Sequence, residues 1–303
     1  MAVSFAARQE ANRRKTVVLM ALMASLVAAV VWAAGVYLGY SSVGIVPIAV
    51  GISLAGVWWS YYQSDRLVLT MTGARVVDRQ SAPQLYNVVE EVVTASGLPM
   101  PRVAIVEDEA PNAFATGRDP EHGVIAFTTG ILRVMDREQL QGVAAHELAH
   151  IGNRDTLVSA VAATTAGAIA LLSDMIMRIM WFGGGRRDRR DDNGGNPLVI
   201  IAAIVVMILA PLAAVLLRSA ISRSRESLAD ATGVAFTRNP AGLRRALETL
   251  AADSTVVRQQ STAVAHVWIE SPLDTKSVNR LFDTHPPLEE RIALLRRMES
   301  GGV

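Results

Sequence analysis

The chain has 303 residues, of which 51% are hydrophobic, and it contains no cysteine. Without cysteine it can form neither a disulfide framework nor a thiolate metal site, so any bound metal must use His, Asp or Glu. The formal net charge of +1 provides no global basic field, and we expect no nucleic-acid partner.

Four apolar runs stand out, at residues 16–38, 43–62, 157–182 and 198–217. Each approaches the roughly 20 residues that a helix needs to cross a bilayer, which predicts four transmembrane helices in two hairpins. An alternative is that the last two runs are buried helices of a soluble core. Basic residues between positions 8 and 15 precede the first run, which places the N-terminus in the cytoplasm by the positive-inside rule. The loop "GGGRRDRRDDNGGN" would then lie outside, although its four arginines favour the cytoplasm.

This pattern divides the chain into an N-terminal transmembrane hairpin (1–63), the first part of a catalytic domain (64–156), a second hairpin (157–217) and the second part of that domain (218–303). Both termini are expected in the cytoplasm. The predicted fold class is α+β, mostly helical, with a small sheet.

Within the first part of the domain, residues 81–97 predict a helix that is capped by Ser81 and stopped by Gly97. The segments "RVAIVE" and "GVIAFTTG" read as short strands, and "PNAFATG" lies between them. Asp136 and Gln139 form a predicted capping box, which opens a helix that should run through His150 and lead straight into the third apolar run.

That helix contains "HELAH" at residues 146–150. Side chains at i and i+4 project from one helix face, so His146 and His150 can bind one metal ion together. Two imidazoles suit zinc, which makes water acidic enough to attack a peptide carbonyl. Glu147 can accept the proton of that water and pass it to the leaving amine. The alternative is a polar turn on a surface helix, but the apolar neighbours of these histidines indicate that the helix is largely buried. Buried histidines need partners, which a metal ion would provide.

A catalytic zinc site usually takes a third protein ligand, and several residues qualify. His122 lies in a polar turn, and His266 stands in apolar surroundings that are typical of a structural histidine. Glu226 is the better candidate, with Asp230 on the same helix face, where a carboxylate could orient a ligand histidine. Glu226 and Asp230 could equally be a solvated helix face. A membrane hairpin would, however, return residues 150 and 226 to one height above the bilayer.

The combination of two N-terminal spans, "NAFATG", "HELAH", a membrane hairpin, "SRESLAD" and "THPPLEERI" resembles the HtpX-like membrane zinc endopeptidases, relatives of the CAAX prenyl protease and of mitochondrial stress proteases. The resemblance implies one zinc ion per chain with Glu226 as its third ligand, and Asp230 as a residue that orients a ligand. It also implies that His285 steadies the developing oxyanion, with Arg291 in support. From sequence alone, His285 could be a turn residue and Arg291 a surface charge.

The resemblance further implies that "NAFATG" is an edge strand beside the cleft. An edge strand has free N–H and C=O groups, to which an extended substrate can add. Four residues would then contact the peptide, namely Asn112, Ala113, Phe114 and Ala115. Without the resemblance this segment could be an ordinary connecting loop.

These features predict a zinc endopeptidase of the bacterial inner membrane that works at the cytoplasmic face. Its expected substrates are damaged or misassembled membrane proteins, in a stress-response role that the resemblance implies. One alternative is a processing protease for a dedicated, for example lipidated, substrate. Another is a non-catalytic membrane scaffold, against which the presence of Glu147 argues.

Overall fold

A computed structural model describes residues 5–37, 41–161, 223–253, 255, 268–269 and 287–301 of the chain. The two N-terminal helices are α1 (Phe5–Tyr37) and α2 (Val46–Thr72), and they pack against each other. The boundary predicted at residue 63 lies inside α2, which continues for nine more residues until Gly73 ends it in the left-handed conformation at φ 68°. Among the helices that the structure describes, none combines the length and the apolar character needed to cross a membrane.

Large apolar side chains are exposed along both of these helices, where a water-soluble surface would carry polar ones. The exposed set on α1 and α2 comprises Val17, Val18, Leu22, Trp32, Val46, Ile48, Val50, Ile52, Leu54, Trp58, Trp59 and Tyr62.

A four-stranded sheet follows, formed by β1 (Arg75–Val77), β2 (Arg102–Val106), β3 (Ala113–Thr116) and β4 (Val124–Thr128). Its spatial order is β1-β2-β4-β3, with β2 and β4 parallel and the other two pairs antiparallel. Every residue of β3 and β4 is buried. Strands that are covered on both faces read as continuous apolar runs, as "VIAF" does. The mixed sheet places β3 at its edge, beside α5.

The other helices of the domain are α3 (Pro83–Ser96), α4 (Thr129–Val134), α5 (Arg137–Gly152), α6 (Arg223–Thr237), α7 (Pro240–Ala252) and α8 (Leu288–Glu299). Helix α5 lies at the centre and packs against α3, β3, α6 and α7. Eleven of its sixteen residues are buried, on all sides, which explains why its sequence shows no clean apolar stripe. The small sheet and the surrounding helices confirm the α+β, mostly helical class.

The backbones of α5 and α6 approach each other closely at the level of His146. A Cβ atom added to Gly233 would lie 3.0 Å from the backbone nitrogen of His146. One helical turn earlier on α5, a Cβ atom on Gly142 would lie 2.6 Å from the nitrogen of Leu243 in α7. Glycine at these crossings lets the helices approach more closely than side chains would allow, and it thereby sets the distance between the functional groups of α5 and α6.

Helix α5 runs through His150, as predicted, but it does not continue unbroken into the third apolar run. Helix α5 ends at Gly152, and residues 153–154 form a turn in which Arg154 takes φ 58°. A new helical segment begins at Asp155 and is described as far as Val161. The turn therefore separates the second histidine from the helical segment that follows.

Candidate metal centre and active site

His146, His150 and Glu226 each offer one ligand atom to a common point, within 4.8 Å of one another. The two histidines lie one turn apart on α5, as their i, i+4 spacing requires. Glu226 comes from the first turn of α6, which packs against α5. These three residues are the metal-ligand set predicted from the sequence, and the structure brings them together from segments 76 residues or more apart.

The separations between the three groups match those of zinc ligands. The Nε2 atoms of His146 and His150 lie 3.2 Å apart. From Glu226, Oε2 lies 3.5 Å from Nε2 of His146, and Oε1 lies 3.6 Å from Nε2 of His150. Tetrahedral zinc with bonds of about 2.0–2.2 Å separates its ligand atoms by roughly 3.3–3.6 Å. The donor set and its spacing therefore fit zinc.

Charge balance provides a second test of the fit. The buried acids of the described part of this cluster are Glu147, Asp155, Glu226 and Asp230, and its buried guanidinium groups are those of Arg225 and Arg291. With neutral histidines, four carboxylates and two guanidinium groups leave a net charge of −2. Burying an uncompensated charge is costly, and one divalent cation neutralises this set.

Asp230 joins one metal-binding histidine to a buried arginine. Its Oδ1 atom lies 2.9 Å from Nδ1 of His146 and accepts a hydrogen bond from Nη2 of Arg291 at 2.7 Å. Its Oδ2 atom accepts a hydrogen bond from Nε of Arg291 at 2.9 Å. Burial acts to raise the pKa of Asp230, but the charge of Arg291 and the hydrogen bond with His146 outweigh it and lower the pKa to about 2. The carboxylate holds the imidazole so that Nε2 faces the ligand atoms of His150 and Glu226, where a metal ion would be held.

Arg291 is therefore not a surface charge. Its side chain is 2% exposed and lies on α8, between Asp230 and Glu226. Burial acts to lower the pKa of Arg291, and the adjacent carboxylates more than reverse this effect. Through this arginine, the C-terminal helix contributes to a site that is otherwise built from α5 and α6.

The protonation of His146 reflects the same surplus of negative charge. Burial and the charge of Arg291 act to lower the pKa of His146, but hydrogen bonds with Asp230 and Glu226 outweigh them and raise it to about 9. The raised pKa favours the protonated form of the His146 imidazole. A metal ion has to displace that proton when it binds.

Glu147 is 3% exposed and lies within electrostatic reach of both histidines and of Glu226. Burial raises the pKa of Glu147, and the charges of His146 and His150 oppose this rise. A carboxylate with a raised pKa is a stronger base, which suits proton transfer near neutral pH.

His150 has a carboxylate partner that the sequence analysis missed. Oδ2 of Asp155 lies 3.1 Å from Nδ1 of His150, just as Asp230 faces Nδ1 of His146. The spacing of five residues does not return to the same face of a continuous helix, so no periodicity indicates this contact. It depends on the turn at residues 153–154.

Of the other candidate histidines, His122 is described by the structure and lies outside the cluster. His122 lies in a short 3₁₀ helix (Pro120–His122), where its ring is 47% exposed and paired with Asp119. His266 and His285 lie outside the described residues, as does most of the predicted second hairpin.

The predicted substrate strand is β3, at the edge of the sheet, and part of that edge is already paired. Phe114 forms an antiparallel bridge with Trp268, and the backbone nitrogen of Ile269 donates to the carbonyl of Ala113 at 2.9 Å. The rings of Phe114 and Trp268 pack edge to face, with centroids 4.8 Å apart. The expected row of free backbone groups is thus partly occupied by the chain itself.

Residues 79–299, well over half of the chain, match the model of peptidase family M48. The "Protease HtpX homolog" of Streptococcus gordonii is 45% identical over 290 residues, which cover 95% of this chain and 98% of that protein. The homologue of Caldanaerobacter subterraneus subsp. tengcongensis is 43% identical, with 96% of each chain covered.

Among solved structures, the crystal structure of Ste24p from S. mikatae has a TM-score of 0.51 at 16% identity. The alignment covers 95% of this chain and 66% of that one, and it indicates a shared fold. The family match, together with a ligand set suited to zinc, shows that this chain belongs to peptidase family M48 and is a zinc-dependent metalloprotease.

Proposed function

We propose that this chain is a membrane-anchored endopeptidase that cleaves damaged or misassembled membrane proteins at the cytoplasmic face of a bacterial inner membrane. The convergence of His146, His150 and Glu226 beside buried Glu147 carries the catalytic part of this proposal. The exposed apolar side chains of α1 and α2 support the anchoring part, because a continuous apolar surface of this kind marks contact with a membrane or a partner.

In the proposed mechanism, the zinc ion would be held by His146, His150 and Glu226. A bound zinc ion would lower the pKa of a water molecule enough for that water to attack a peptide carbonyl. Glu147 takes the proton of the attacking water and transfers it to the amine of the leaving peptide. Asp230 holds His146 in orientation, and Arg291 keeps Asp230 ionised. The predicted role of His285 at the oxyanion belongs to the same proposal.

Substrate is proposed to bind along β3, at Asn112, Ala113, Phe114 and Ala115. An extended peptide gains backbone hydrogen bonds when it adds to a sheet edge, without requiring a particular sequence. Such tolerance suits a protease that clears varied misassembled proteins. Since Trp268 and Ile269 pair with this edge, a bound peptide must displace them or use the remaining part of the strand.

A cleavage assay on the purified, detergent-solubilised chain tests the proposed substrate class. We expect an unfolded membrane protein to be cleaved at several positions and its folded form to resist. A chelator should stop the cleavage, and added zinc should restore it. Cleavage confined to a lipidated peptide at one bond would replace this proposal with the dedicated processing protease. Failure to cleave either substrate, with zinc bound, would favour the scaffold.

Thiol labelling tests the proposed topology, since the chain contains no native cysteine. Cysteines placed at Ser42, between α1 and α2, and at Asn193, between the last two apolar runs, should react with a membrane-impermeant reagent added to spheroplasts. A cysteine at Asp253, after α7, should react only after lysis. Labelling of Asn193→Cys only after lysis would mean that residues 157–217 do not cross the bilayer as a hairpin.

A further inference from the structure

The first helix reaches the metal centre through one buried side chain. Asn12, near the start of α1, donates a hydrogen bond from Nδ2 to Oδ1 of Asp155 at 2.7 Å and lies 2.9 Å from the carbonyl oxygen of Asn153. The other carboxylate oxygen of Asp155 faces Nδ1 of His150 at 3.1 Å. Asn12 is 5% exposed and Asp155 is 4% exposed. Two hydrogen bonds therefore connect α1 to a metal-binding imidazole.

The turn that carries Asp155 contains a residue in the left-handed conformation, and Asn12 contacts this turn. Arg154 takes φ 58°, a left-handed conformation that a residue with a side chain rarely adopts. Such a conformation persists where the surroundings determine it. Asn12 contacts the turn on both sides of Arg154, at the carbonyl of Asn153 and at the carboxylate of Asp155. It is thus placed to hold the turn in the form that directs Asp155 to His150.

The charge of Asp155 is compensated inside the same cluster. Nη1 of Arg225 lies 4.0 Å from Oδ1 of Asp155, the oxygen that also accepts from Asn12. Oδ2 is left for the imidazole of His150. A carboxylate at Nδ1 fixes the proton on that nitrogen, so Nε2 keeps its lone pair for a metal.

We propose that Asp155 is a positioning residue for His150, and that Asn12 holds Asp155 in place, so that the first helix is part of the metal centre. Asp155 then does for His150 what Asp230 does for His146. The metal site is complete only when α1 is docked on the turn at residues 153–155, and metal retention depends on that docking. This inference rests on the proposed role of His150 as a metal ligand.

The test measures zinc retention, independently of cleavage. The purified full-length chain is loaded with zinc, and the transfer of zinc to a chromophoric chelator is followed at fixed pH. Asp155→Ala should accelerate zinc loss about 10–100-fold, the range typical of residues that orient a ligand. Asp155→Asn, which retains a hydrogen-bond acceptor of the same shape, should have a smaller effect, and Asn12→Ala should accelerate zinc loss several-fold.

The double variant Asn12→Ala/Asp155→Ala distinguishes a connected pair from two separate contacts. Because Asn12 is proposed to act through Asp155, the double variant should lose zinc no faster than Asp155→Ala alone. Effects that multiply would overturn the role assigned to Asn12. Thermal unfolding of the zinc-free variants shows whether each one is folded, and Asp155→Asn remains informative if Asp155→Ala is not.

Two substitutions of exposed residues serve as matched controls. Arg14→Ala removes an exposed side chain from the same helix as Asn12, and Glu121→Gln removes an exposed carboxylate from the domain. Both should retain zinc like the unmodified chain.

The variant His150→Ala distinguishes a failure of the inference about Asp155 from a failure of the assignment of His150 as a metal ligand. If His150→Ala releases zinc and the Asp155 variants do not, the inference about Asp155 fails and the ligand assignment stands. If His150→Ala retains zinc as the unmodified chain does, the ligand assignment itself fails.

Discussion

Replacing Glu147 by Gln should reduce peptide cleavage by roughly 10²–10⁴-fold, the usual contribution of a positioned proton-transfer group. Gln has the same shape, and its amide cannot accept the proton of the attacking water. The three metal ligands remain in place, so the zinc content should stay near one ion per chain. Cleavage rates and metal content measured on one preparation check both halves of this expectation.

Glu138→Gln is the matched control, since it makes the same substitution on the same helix. Glu138 is exposed and pairs with Arg245 at the surface, where such a pair contributes about 0–1 kcal/mol. Its cleavage rate should not change. Full activity of Glu147→Gln would remove this residue from the mechanism. Loss of zinc from Glu147→Gln would mean that the carboxylate holds the metal rather than the proton.

Local sequence signals predicted the local structure around this site. The capping box is confirmed: Asp136 accepts from the nitrogen of Gln139, and the Gln139 side chain accepts from the nitrogen of Asp136. Gly97 ends α3, as predicted, and it does so in the left-handed conformation. Both motifs depend on residues within one helical turn, so spacing alone defines them.

The cap predicted at Ser81 is wrong. Ala82 occupies the N-cap position of α3, and the hydroxyl of Ser81 instead hydrogen-bonds with Asp78. A serine hydroxyl can form hydrogen bonds either in a turn or at a helix N-terminus. The sequence "DRQSAP" is compatible with both arrangements.

Sequence reasoning missed the residues whose roles depend on contacts between distant segments of the chain. The sequence left Arg291 as a possible surface charge, because only the packing of α8 places it beside Asp230. Asp155 depends on the left-handed turn at Arg154, a conformation that a non-glycine residue rarely signals. Asn12 lies 143 residues from Asp155, and one polar residue ahead of an apolar run resembles any solvated helix end. Nothing in the sequence indicates that Trp268 pairs with β3.

The buried charges also explain why the ligand residues were easier to find than the residues that support them. His146 and His150 are marked by a spacing that only a shared metal ion explains well. Asp230 and Arg291 satisfy each other, and such a pair has no sequence signature when its members come from two helices. The contact of Asp155 with His150, in contrast to the role expected of Asp230, was identified only from the structure.

Replacing Glu226 by Gln should weaken zinc binding more than Asp230→Asn does. Glu226 faces both histidines at 3.5 and 3.6 Å, whereas Asp230 contacts the far nitrogen of one of them. For Asp230→Asn we expect about a 10–100-fold loss of affinity, as is typical of residues that orient a ligand. Glu226→Gln removes a charged ligand and leaves the cluster, with zinc bound, one negative charge short, so the loss should exceed that range. Chelator competition measures both affinities, and excess zinc should restore part of the cleavage. Normal zinc affinity in Glu226→Gln would contradict the assignment of Glu226, and the third ligand would have to be sought at His266 or His285.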